Sequence, residues 1–207
     1  MISKHLQSRA AADFALEYRQ AFETDPAGEE KMRHPFEFVP SQTRKTLFFL
    51  FLFSTIALFA VFAALDAPLR TASAPNGIVS FELAWSPGAS GEMVGSWSEY
   101  ARLLAAFGLG IDYLFMPIYA LALSLGILLA SSRHGGAFAR LGAWMGWAAL
   151  AAPLFDAVEN YGLLHSLLSP LFSLWPLVAS VCATVKFTLL LLGLAYALIG
   201  WLWPGKK

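Results

Sequence analysis

Four stretches of this chain, 46–65, 109–130, 141–161 and 177–200, each run for about twenty residues with very little charge. About twenty apolar residues, rising about 1.5 Å each in an α-helix, cross a hydrocarbon core of about 30 Å. The chain is therefore expected to be all-α, an integral membrane four-helix bundle spanning residues 46–203. Composition agrees, since 57% hydrophobic and 14% charged residues stand against about 25% charged in a soluble domain. The first stretch, "TLFFLFLFSTIALFAVFAAL", is Phe-rich on every side, which suits a helix facing lipid.

Flanking charge predicts the orientation. Arg44 and Lys45 precede the first stretch, Arg133 and Arg140 lie between the second and third, and Lys206 and Lys207 end the chain. The connection after the third stretch has neither Lys nor Arg, and the long connection 66–107 has only Arg70 and Arg102. The positive-inside rule then puts the N-terminus and the C-terminus in the cytoplasm and 66–107 outside, with Trp201 and Trp203 as an interfacial anchor on the inner side. The expected home is the plasma (inner) membrane.

Residues 1–45 form a polar cytoplasmic segment in which Leu6, Ala10, Phe14, Tyr18 and Phe22 recur every four residues. That spacing makes an apolar helical stripe for the bundle, the membrane surface or a partner. The opening "MISKHLQSRAAADFALEYRQ" lacks the apolar run of a signal peptide, so a mature N-terminus is expected. In 66–107, Ser86 before Pro87 reads as an N-cap with proline in the first turn, starting a short helix that ends near Trp97. Fourteen basic residues balance fourteen acidic ones, which does not announce nucleic acid as a partner. The lone Cys182 permits neither an intrachain disulfide nor a cysteine zinc site. The bilayer is the expected partner, with another membrane protein or a second copy of the chain as further candidates. No pattern names a cofactor.

The chemistry lies in the few polar residues inside the apolar stretches. On the predicted topology Asp112 sits near the outer end of the second, Asp156, Glu159 and Asn160 in the last turns of the third, and Lys186 about 13 Å into the fourth from the same side. Helical phase adds a second constraint at about 100° per residue. Asp156 and Asn160 continue a face of Gly142, Gly146, Ala149 and Pro153, with Glu159 at its edge. Lys186 shares a face with Ala179, Cys182, Gly193, Ala197 and Gly200, and Asp112 shares one with Met116, Tyr119, Leu123 and Gly126. Small residues mark close helix contact in membranes, and "GAWMG" is a GxxxG. These five polar residues are thus expected to point into the bundle and to meet.

A charged residue at the helix centre costs about 2.5–3.5 kcal/mol on insertion scales, so the cluster requires pairing, protonation or a bound ion. In one reading it is an internal clasp, with Lys186 bridging Asp156 and Asp112 and Asn160 satisfying the remainder. In another, Asp112, Asp156, Glu159, Asn160 and Lys186 bind a proton, a cation or a small polar ligand reached from the outer side. An accessory subunit of a larger membrane complex is a third, motivated by the striped helix and the GxxxG. A lipid-active intramembrane enzyme is a fourth, with Glu159 or Asp156 as general acid or base and Lys186 as electrostatic stabiliser or nucleophile. No spacing demands that chemistry, and a non-enzymatic role is favoured. His5, His34, His134 and His165 are scattered outside the apolar stretches, and Tyr113 and Tyr119 read as packing residues.

At "GIVSFELAWS", "GIDYLFMPIYALAL", "FDAVENYGLL" and "TVKFTLLLLGLAYAL" the chain resembles a group of small four-span bacterial membrane proteins of unknown function. The shared order is an FELA-like outer segment, an intramembrane Asp, D-x-x-E-N and a Lys-Phe. The resemblance covers roughly residues 76 to 198 and implies no reaction. It does imply that Asp112, Asp156, Glu159, Asn160 and Lys186 form one constellation.

Overall fold

The computed structural model describes residues 32–169 and 174–204. The helices among them are α1 (Ser41–Asp66), α2 (Ile78–Glu82), α3 (Pro87–Ser96), α4 (Glu99–Ser131), α5 (Gly136–Leu168) and α6 (Trp175–Leu202), with a 3-10 turn at Ala67–Leu69. α1 with its 3-10 turn, α4, α5 and α6 are each long and apolar enough to cross a membrane. The all-helical, four-span architecture is as expected, and the chain is a multi-pass membrane protein by the length and composition of its helices. The stripe from Leu6 to Phe22 lies outside the described residues, as do Lys206 and Lys207.

In the compact unit that begins at His34, α4, α5 and α6 form the packed centre and α1 leans on α4. No residue of α1 is buried. Its rings Phe59 and Phe62 meet Phe115 of α4 edge-on, with centroids 5.1 and 5.2 Å away. A helix apolar all round gains little from choosing protein over lipid, which is why it can stay peripheral. The packed helices instead approach through small residues. A Cβ on Gly142 would lie 2.5 Å from the Tyr196 hydroxyl and 2.6 Å from the Cβ of Ser131, and one on Gly146 would run into the His34 ring. Both glycines of the GxxxG are therefore used inside the chain.

One end of the bundle is capped by the segment between α1 and α4, and it is more ordered than a loop. The Asp66 carboxylate accepts the Ile78 amide at 2.7 Å and so caps α2 across the turn. Gly77, at φ +57°, rests against the same carboxylate, a place where any Cβ would collide. Trp97 donates its indole N–H to the Leu69 carbonyl at 2.7 Å and meets Phe81 edge-on. Ser86 caps α3 through the Ala89 amide, and α3 ends at Ser96 as the sequence predicts. Ser98 then caps α4, whose Ala101, Ala105 and Leu109 are buried at four-residue spacing. α4 thus begins at Glu99, well before the apolar stretch that marks it in the sequence, because one buried stripe is enough to extend a helix beyond the lipid. Ser180 of α6 pins the cap to the bundle: its hydroxyl donates to the Glu82 carbonyl at 2.8 Å and accepts from the Trp85 amide at 2.9 Å. That clamp holds Trp85 at φ +60°, a backbone region most side chains avoid.

At the opposite end, Phe48 of α1 meets Trp201 of α6, and His134 lies 2.9 Å from the Gly200 carbonyl. Here His34 is buried against Gly146, with Nδ1 accepting from the Phe36 amide at 3.2 Å. Burial, helped by Arg44, pushes the His34 imidazole down to about 4.

Replacing Ser180 with Ala removes both anchors of the cap. It is expected to cost about 1–3 kcal/mol and to speed hydrogen exchange at amides 83–97, whereas unchanged exchange there would refute the clamp. His34 gives a pH signature. Its folded-state value lies below the ordinary 6.5, so the unfolded chain takes up the proton first and the stabilisation present above that value is lost as pH falls from it towards 4. Thermal unfolding in detergent is expected to weaken over that window, and less so in His34→Gln.

Candidate functional site

The centre of the site is a lysine between two carboxylates. Lys186 Nζ donates to Asp156 Oδ1 at 2.9 Å and lies 2.9 Å from Oε1 and 2.8 Å from Oε2 of Glu159. Asp156, Glu159 and Lys186 are 2%, 0% and 5% exposed, so the group is buried. The D-x-x-E spacing puts both carboxylates on one side of α5, and the small residues of α6 on Lys186's face, Ala179 and Ala183 among them, let that side chain reach them. The other oxygen of Asp156, Oδ2, accepts the Tyr119 hydroxyl of α4 at 2.8 Å. A second link joins Asn160 to Asp112, with Nδ2 donating to Oδ2 at 2.8 Å and approaching the Leu109 carbonyl at 3.4 Å.

All five residues singled out in the sequence therefore converge, but the partners differ from the expected clasp. Lys186 bridges Asp156 and Glu159, not Asp156 and Asp112, because Glu159 lies one turn from Asp156 towards the α6 side while Asp112 is occupied by Asn160. Glu159, placed at the edge of the α5 face by phase, is the most buried member. The same pairing engages the Lys186 amine with a carboxylate on each of two residues.

Two more residues join the cluster, Tyr119, expected only to pack, and Glu82, not expected there. Tyr119 falls on the predicted Asp112 face yet acts as a hydrogen-bond donor, a role that phase cannot distinguish from packing. Glu82, the acidic residue of "FELAW", reaches the cluster from α2 in the cap. Its Oε2 is buried with no hydrogen-bond partner. Burial pushes the Glu82 carboxyl up to about 7, with Lys186 pulling it down and Asp156 and Asp66 adding to the rise. His165, expected in the turn after the third stretch, lies in the last turns of α5 and stacks on Trp175 at 5.3 Å.

The cluster is not closed. A cavity of about 340 Å³ lies beneath the cap and is bordered by Asp66, Glu82, Asp112, Tyr119, Asp156, Asn160 and Lys186, with apolar side chains of α1, α2, α4 and α6 around the rest. Glu159 does not line it. The arrangement has two sides: Glu159, enclosed behind Lys186, and a cavity face carrying Asp112, Asp156, Asn160, Glu82 and Lys186 itself. Four carboxyls surround one lysine, which leaves the open face rich in acceptors. Among the described residues no group of His, Cys, Asp and Glu side chains is arranged to hold a metal ion.

Lys186→Met strands two buried carboxylates and is expected to cost about 3–5 kcal/mol in a detergent unfolding assay. Adding Asp156→Asn or Glu159→Gln should recover a large part of that loss, a coupling of about 1–3 kcal/mol. Adding Asp112→Asn should recover less, and equal rescue by all three would contradict the observed pairing. No family model, curated protein or solved structure matches the chain.

Proposed function

We propose that the protein is a non-enzymatic binding protein of the plasma (inner) membrane, with both termini in the cytoplasm and its site opening towards the outer half of the bilayer. The ligand is a small cationic or hydrogen-bond-donating group taken up by Asp112, Asp156 and Asn160. The observation that carries this reading is the cavity bordered by several carboxyls whose single lysine is already engaged by Asp156 and Glu159. A pure clasp would need Lys186, Asp156 and Glu159 only. Asp112 and Glu82 add half-buried carboxyl groups on the cavity that no clasp requires, and ionisable groups inside a membrane protein mark binding sites by default. The orientation is supported by Arg44 and Arg133, whose guanidinium groups cover carbonyls at the end opposite the cap.

Butylamine, a cation small enough for the pocket, is expected to raise the unfolding temperature of the detergent-solubilised protein, by about 1.4 kcal/mol of stabilisation at tenfold excess over Kd. Butyrate should not, and Asp112→Asn should abolish the shift. Because Glu82 carries its proton below about 7, amine binding should strengthen as pH rises through that value and become flatter in Glu82→Gln. An equal shift with Asp112→Asn, or with butyrate, would defeat the reading.

A further inference from the structure

A second cavity, of about 620 Å³, runs between α1 and α6 over the face of α4. Its walls are apolar side chains apart from Thr55 and Tyr119. Phe59, Phe115, Tyr119 and Leu190 border both this cavity and the polar one, so the two adjoin, and we read them together as one cleft. Tyr119 marks the boundary, since it lines the apolar part while its hydroxyl is fixed on Asp156. The cleft is bounded at its far end, where the rings of Phe48 and Trp201 meet at 5.7 Å and the Trp201 indole donates to the Gly126 carbonyl at 3.4 Å. From Gly126 to Asp112 helix α4 rises about 21 Å at about 1.5 Å per residue, the length of an extended long-chain alkyl group.

The two ends of this cleft ask for different chemistry in one molecule. An alkyl chain gains little by leaving lipid for an equally apolar slot, so selection falls to the headgroup. At that end Glu82 Oε2 is buried without a hydrogen-bond partner, Asp66 and Asp112 border the same cavity, and Lys186 is already paired. Phosphate or carboxylate headgroups would be repelled there, whereas a primary ammonium brings one positive charge and three donors. Resting on the reading of the carboxyl-rich pocket as a ligand site, we propose that its ligand is a single-chain, long-chain amine drawn from the bilayer between α1 and α6. Its ammonium sits among Glu82, Asp112 and Asp156, and its chain lies along the cleft towards Trp201. The peripheral position of α1 suits lateral entry, since it packs on α4 and buries none of its own residues.

The test uses the full chain in phosphatidylcholine nanodiscs and hexadecylamine carrying a diazirine at mid-chain. Labelling is expected on cleft residues of α1, α4 and α6, saturable, and displaced by unlabelled hexadecylamine but not by hexadecanoate. Leu194→Trp, or Leu198→Trp if the first does not fold, fills the apolar part away from the carboxyls. Either should reduce labelling at least tenfold and leave the thermal shift by butylamine unchanged. Unsaturable labelling spread over lipid-facing residues such as Phe53, or equal displacement by hexadecanoate, would overturn the proposal. If butylamine still binds while cleft labelling is absent, the polar site stands and the long-chain ligand falls. If butylamine also fails, both fall.

Discussion

The rest of the structure depends on one buried ammonium. Lys186 can remain in an apolar bundle only because Asp156 and Glu159 meet it at 2.8–2.9 Å, and that requirement fixes how α5 and α6 stand against each other. A shift of either helix by a turn would separate the charges and expose each to the cost of an uncompensated ion in lipid. Tyr119 extends the constraint to α4 through the second oxygen of Asp156. Small residues make the approach possible, as at Gly142 and Gly200, where any side chain would meet an opposing helix.

What the clasp does not use is as informative as what it does. Its lysine is already met by two carboxylates, while Asp112 and Glu82 stand on the cavity side with carboxyl groups that register alone does not need. Glu82 arrives from the cap, and the cap in turn hangs on Ser180, two hydrogen bonds from one hydroxyl on α6. The same short region of α6 therefore anchors the cap through Ser180 and the ion pair through Lys186, which ties the roof of the cavity to its polar floor. α1, outside this network, leaves an apolar cleft open beside the polar one.

The four spans and the convergence of Asp112, Asp156, Glu159, Asn160 and Lys186 were legible in the sequence because lipid imposes simple rules. Length against bilayer thickness gives the spans, and small-residue periodicity together with the cost of charge in hydrocarbon gives an inward polar face. Tyr119 was legible in position but not in role, since a phenol on an inward face can pack or donate and phase is blind to the difference. Glu82 was not legible as a member at all. Its depth follows from how "FELAW" folds back under a cap fastened at Ser180, far along the chain, and no local period records that return.

The sequence by itself determined the class of structure and the need for compensation, because hydrophobic length and helical phase are local properties and a buried charge must find a partner wherever it goes. Only the tertiary structure decided which partner. Lys186 chooses Glu159 over Asp112 by a matter of ångströms in how two helices are turned, and the space left beside Asp112 depends on where α1 and the cap come to rest. Those are sums over many weak packing contacts between residues distant in the chain, and they are settled only when the whole bundle is assembled.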